Sequence, residues 1–147
     1  MKTLVYVEDR EGEPSADTLG AVSKAAQLGG DVAAVVCGSG VAALAPMLGE
    51  CGASRVYVAD SPALEAPLPQ PRVDVLAGLF RDQGFDNLLF ATSVLTADVA
   101  SGLAARLEAG LNWGLSDLER RGDTLVGKRL ALGDSVLLRD RLRRRGM

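Results

Sequence analysis

Four short apolar runs recur along this chain, and each is followed by a stretch with helical spacing. The runs are 4–7 (LVYV), 32–36 (VAAVV), 55–59 (RVYVA) and 88–91 (LLFA). They are too short and too rich in β-formers for helices, and they do not alternate apolar with polar. Strands buried on both faces read this way, as in a parallel sheet covered by helices. The intervening segments supply those helices. Ser15 is placed to cap one that carries Leu19, Val22 and Ala26 and ends at Gly29-Gly30. A second is expected over 41–51, with Pro46 compatible only in its first turn. A third is expected over 73–83, and a fourth from Leu95 onward. The stretch 61–71 holds four of the six prolines and reads as an extended surface loop. The expectation is a single α/β domain over 1–147, an open three-layer sandwich with a mainly parallel sheet. Its central strands are expected at 4–7, 32–36, 56–58 and 88–90.

The rhythm changes after Gly110. Segments 115–120, 124–130 and 135–138 look like short strands, with Arg121-Gly122-Asp123 as a hairpin turn between the first two. They are expected as antiparallel strands at one edge of the sheet.

Composition removes several classes of chemistry. The chain has no histidine, so Ser-His and Cys-His nucleophile systems are excluded. Cys37 and Cys51 fit neither a zinc spacing nor a CxxC motif, and both read as structural thiols. Glu8, Asp9, Glu11 and Glu13 cluster after the first strand, but without histidine or a DxD pattern they read as a solvated loop; no metal site is assigned. No catalytic residue is assigned either. The net charge of −3 gives no global field for nucleic acid. The basic tail Arg141, Arg143, Arg144, Arg145 could touch nucleic acid or an acidic partner, but reads as a solvated helix end or frayed tail because the rest of the chain is acidic. No apolar run is long enough to span a bilayer, and the N-terminus turns acidic too soon for a secretory signal. A cytoplasmic location is expected.

Two turns are candidate ligand sites because they follow strands of the expected sheet, where ligands of open α/β sheets bind. Gly38-Ser39-Gly40 lets backbone approach a ligand, but it is neither a Walker loop nor a full GxGxxG. Thr92-Ser93 opens a helix, where N–H groups suit an anion. Both would take a nucleotide phosphate. Ordinary turn and cap roles account for the same residues, since Gly, Ser and Thr favour such positions anyway.

The segment DNLLFATSVLTADVASGLAARL (86–107), with its ATS turn and LAARL helix, resembles the amino-terminal domain of the electron-transfer flavoprotein alpha subunit. So do the opening KTLVYVEDREGEPSADTLGAVSKAAQLG, the stretch GECGASRVYVAD and the closing GLNWGLSDLERRGDTLVGKRLALGDSVLL. No single motif is a sharp signature; the ordered series carries the likeness. It implies an adenine-nucleotide-hydrolase-like, Rossmann-like fold. It also implies a scaffold or partner-binding role in flavin-dependent electron transfer, with a beta-subunit-like chain or a homo-oligomer as partner. The family's FAD sits in a second alpha domain, which this sequence lacks if it is complete. FAD would then come only through a partner or that missing domain. The chain departs from the family at Thr96-Ala97-Asp98, where relatives usually read Gly-Arg-Asp. It departs again at Ser101-Gly102, where they often read Pro-Arg, and at Asn112-Trp113-Gly114, where they often read Ala-Thr-Asp. The alternative role is a free-standing adenine-nucleotide-binding protein, holding AMP at the two turns; a third is a homodimeric scaffold without ligand. Leu111, Trp113 and Leu115 are the expected docking surface.

Overall fold

The computed structural model describes residues 1–131 and 136–141, with side chains through residue 130. The tail arginines 143–145 lie outside the described residues, and the Arg141 side chain is likewise outside them. The chain divides into two compact units, Met1–Leu103 and Ala104–Met147.

The first unit is built on a four-stranded parallel sheet. Its strands are β1 (Lys2–Val7), β4 (Asp31–Gly38), β5 (Arg55–Asp60) and β6 (Asn87–Phe90), in the order β5-β4-β1-β6. All four apolar runs are strands of this sheet. Only β1 and β4 are central, however; β5 and β6 form its two edges. Burial follows from this: Leu4–Val7 and Val32–Cys37 are inaccessible, whereas Val58 is exposed.

Parallel register stacks side chains in layers. Val5 pairs with Ala34 and Leu89, and Val7 with Val36. These residues form one core face with Val22 and Ala25 of α1 (Ala16–Leu28) and Leu48 of α2 (Ala45–Glu50). Leu4, Tyr6, Val35 and Cys37 point to the other face. There Tyr6 meets Arg72 of α3 (Pro69–Gln83), and its ring stands 5.6 Å from Phe90.

Local chemistry sets the helix ends. Ser15 caps α1: its Oγ accepts from the Thr18 amide at 3.3 Å. The helix stops at Gly29. Gly30 follows at φ +97°, and a Cβ there would collide with the Met1 carbonyl oxygen. That close approach lets Asp31 N–H donate to the same carbonyl at 3.0 Å. The segment expected as one helix over 41–51 is a 3₁₀ turn (Ala42–Leu44) running into α2, with Pro46 in its first turn.

The stretch 61–71 is not simply a loop. It holds a 3₁₀ turn (Pro62–Leu64), and α3 begins at Pro69, four residues earlier than the periodicity places it. Prolines at the start of a helix forfeit no hydrogen bond, since those N–H groups have no partner within the helix. The acidic cluster is likewise ordered. β2 (Asp9–Arg10) and β3 (Glu13–Pro14) form a minimal hairpin around Glu11-Gly12. Both turn residues have positive φ, as a type I′ turn requires.

The second unit contains β7 (Asp117–Arg121), β8 (Thr124–Ala131) and β9 (Val136–Arg141), an antiparallel sheet in that order. Gly122-Asp123 is the β7–β8 turn. Sequence pattern places these strands at an edge of the main sheet, but among the described residues they pair only with one another. Lys128 sits between Asp117 and Glu119 in cross-strand ion pairs.

Candidate functional site

The carboxyl ends of the parallel strands carry both candidate turns. β1 runs outward through β4 to β5, and the chain then returns to place β6 on the other side of β1. Gly38–Gly40 therefore follows β4, and Thr92–Ser93 follows β6, with the end of β1 between them. At about 4.8 Å between neighbouring strands, the two turns stand about 10 Å apart. The sheet thus brings the two to the same rim, one strand apart.

Each turn has internal partners. The Gly40 N–H donates to Asp60 Oδ1 at 2.8 Å, and the Ala42 N–H to Asp60 Oδ2 at 3.3 Å. Asp60 ends β5, so a carboxylate from the neighbouring strand rests on the turn. Gly38 is buried, and a Cβ there would lie 2.6 Å from Val41 Cγ1 and 3.3 Å from Asp9 Oδ1. Ser39 is exposed and Gly40 has φ +71°.

At the second turn, Ser93 and Thr96 cap one another at the start of α4 (Val94–Leu107). The Thr96 N–H donates to Ser93 Oγ at 3.1 Å, and the Ser93 N–H to Thr96 Oγ1 at 2.8 Å. The Thr96 hydroxyl donates to the Ala91 carbonyl at 2.6 Å. Of the amides at this helix start, those of Val94 and Leu95 have no helical acceptor to reach. Thr92 is exposed, and Val94 is 87% exposed.

Beneath the rim lies the most polar buried group of the first unit. Arg72 is 4% exposed. Its Nε donates to Tyr6 Oη at 3.1 Å, Nη1 to the Ala66 and Leu68 carbonyls, and Nη2 to the Leu64 carbonyl at 3.0 Å. The guanidinium fork ties the proline-rich segment to β1. Burial, helped by the nearby Cys37 and opposed by Arg72, pushes the Tyr6 hydroxyl up to about 12. Burial also pushes the Cys37 thiol up to about 11. A thiol so raised is protonated at neutral pH and a poor nucleophile. Cys51 is partly exposed, and both cysteines are free.

Three residues that organise this rim were not singled out from the sequence. Asp60 could have been: an acid closing a strand beside a glycine turn is a local signal. Thr96 could also have been, because Ser-x-x-Thr is a variant of the capping box. Arg72 could not, since its partner Tyr6 is 66 residues away. In the second unit, Leu111 and Trp113 are 43% and 39% exposed, and Leu115 is half-buried against Gly127.

The electron transfer flavoprotein domain model matches residues 3–139. The chain belongs to the electron transfer flavoprotein family. Among curated relatives, the electron transfer flavoprotein subunit alpha of Mycobacterium tuberculosis is 35% identical over 122 residues, 82% of this chain and 38% of the relative. The subunit alpha of Syntrophomonas wolfei is 35% identical over 109 residues, 74% of this chain and 34% of the relative. A subunit of the lactate dehydrogenase (NAD(+),ferredoxin) of Acetobacterium woodii, LctC, is 28% identical over 138 residues, 90% of this chain and 33% of the relative. The chain spans about a third of the length of these relatives. The resemblance to subunit alpha read from the four sequence segments stands, and so does the Rossmann-like α/β fold. Among the described residues, no helix is long and apolar enough to cross a membrane.

Proposed function

We propose that this chain is a partner-docking module of an electron-transfer flavoprotein, alpha-like in its fold and carrying no flavin of its own. The observation behind this reading is the family match over 3–139 to relatives named as alpha subunits, at barely more than a third of their length. The remaining two thirds of those relatives have no counterpart in residues 1–147. By the resemblance to subunit alpha, FAD is assigned to a beta-subunit-like partner or to a further flavin domain, and not to this domain. A cytoplasmic location goes with that role. Residues 1–147 act as one electron-transfer-flavoprotein-like module, and no catalytic residue is placed on it. Leu111, Trp113 and Leu115 are its docking surface, the first two exposed; apolar side chains on a surface commonly mark an interface.

The purified chain should show no flavin absorbance. It should acquire a stoichiometric flavin only when co-expressed with a beta-like or flavin-domain-like partner. Trp113→Ala should weaken that assembly by at least tenfold, since interface tryptophans are frequent hot spots. A yellow, stoichiometrically flavin-loaded chain in isolation would overturn the reading. The rival role is free-standing binding of an adenine nucleotide at Gly38–Gly40 and Thr92–Ser93. Calorimetric titration with AMP, ADP and ATP tests it directly.

A further inference from the structure

Asp60 holds a position that a ligand anion could otherwise take. Its two carboxylate oxygens accept from the backbone amides of Gly40 and Ala42, at 2.8 and 3.3 Å. These amides follow β4, while Asp60 ends β5, so the contact joins two strands across 20 residues of sequence. The geometry is set by register: Gly38 pairs with Asp60, which delivers the carboxylate to the mouth of the glycine turn. The Ser61 N–H donates to the Gly38 carbonyl at 2.9 Å and fixes the backbone just beyond. A second carboxylate stands close by, with Asp9 Oδ1 3.3 Å from where a Gly38 Cβ would be.

We infer that Asp60 is an intramolecular pseudo-ligand: its carboxylate fills the Gly38–Gly40 turn and excludes a phosphate from it. Two effects act together. The donors that a phosphate oxygen would use are engaged in charge-assisted hydrogen bonds, which are stronger than neutral ones. The charges of Asp60 and Asp9 also repel an incoming dianion at short range. The turn is held by an anion supplied by the chain itself. This is an autoinhibitory contact within the rim, and it holds whichever partner the chain docks.

The test follows the Gly40 and Ala42 amide signals during titration with inorganic phosphate and, separately, AMP, at constant ionic strength. In the wild-type chain neither signal should move saturably up to about 20 mM, a range that captures weak anion sites. Asp60→Ala should lower Tm by about 3–6 °C, as expected for loss of one modest stabilising contact. Phosphate, but not chloride, should return at least half of that loss and shift both amides. Asp60→Asn keeps the shape without the charge and should melt between the other two proteins. A saturable shift in the wild type, or an Asp60→Ala protein that ignores phosphate, would overturn the inference. If Asp60→Ala does not fold, Asp60→Asn decides: a Tm equal to wild type means the charge does not hold the turn.

Discussion

Replacing Arg72 by alanine should be among the most damaging single changes in the first unit. The guanidinium is buried and makes four hydrogen bonds, none to a carboxylate. Two acceptors, the Tyr6 hydroxyl and the Leu64 carbonyl, lie in buried pairs. Stranding each costs about 1–3 kcal/mol. The Ala66 and Leu68 carbonyls belong to exposed residues and can turn to water, so they add little. Lost packing of the stem adds to the total, and relief of the buried charge subtracts from it. The two stranded acceptors set the net at about 2–6 kcal/mol. That is a large part of a typical domain stability of about 5–15 kcal/mol. Urea unfolding followed by circular dichroism should show a lower midpoint with an unchanged slope. Arg72→Met keeps the stem and should lose less than Arg72→Ala, while Arg72→Lys replaces the fork with a point charge and should fall between it and wild type. A double-mutant cycle with Tyr6→Phe should give a coupling of about 0.5–1.5 kcal/mol. A loss below about 1 kcal/mol for Arg72→Ala would refute the stitching role, because even one stranded buried acceptor costs that much.

Alkaline pH should unfold the first unit earlier than its net charge alone implies. Tyr6 and Cys37 are neutral when protonated, and their folded values, about 12 and about 11, lie above the ordinary 10.0 and 9.0. Their contribution is therefore whole at neutral pH and drains as pH rises from 9 toward 12, by about 2–3 kcal/mol per group. Cys37→Ala should remove the part of the decline between pH 9 and 11; a profile identical to wild type would count against the assignment. Ser93→Ala should cost about 0.5–2 kcal/mol through loss of the cap. Thr96→Val should cost about 1–3 kcal/mol by stranding the Ser93 amide; if both variants stay within 0.3 kcal/mol of wild type by thermal melting, where sound cap and hydrogen-bond losses are larger, the reciprocal cap is not stabilising. Gly30→Ala should cost about 1–3 kcal/mol, because alanine is strained at positive φ and its Cβ meets the Met1 carbonyl. Wild-type stability in that variant would refute the close approach.

The parallel strands were legible because burial on both faces leaves an unbroken apolar run such as LVYV, which little else explains. Ser15 and Pro46 were legible because caps and first-turn prolines obey local rules. The start of α3 was obscured by that same reasoning. Pro69 and Pro71 read as loop residues, because the bond from Arg72 to Tyr6 that anchors their segment to the sheet is a long-range contact. Sheet order was not readable either: nothing local in RVYVA or LLFA marks an edge strand. The separate antiparallel sheet has the same cause, since pairing partners are chosen by tertiary packing. At the rim, Gly38–Gly40 and Thr92–Ser93 could be placed from the strand-turn-helix pattern. That Asp60 and Thr96 engage their amides depends on register between strands and on side-chain direction.

The strand order also dictates a timetable. β1 is made first during synthesis and ends at the centre of the sheet. It pairs with β4 and, through it, with β5, each addition closing over a short local connection. Its other flank is filled only by β6, and the Lys2 amide reaches Asp86 across 84 residues. Closure over such a span is slow relative to local pairing. Until Phe90 has emerged, one side of KTLVYV presents open backbone and apolar side chains, the features that recruit other strands. A nascent chain paused within α3 is thus the form of this protein most in need of a chaperone.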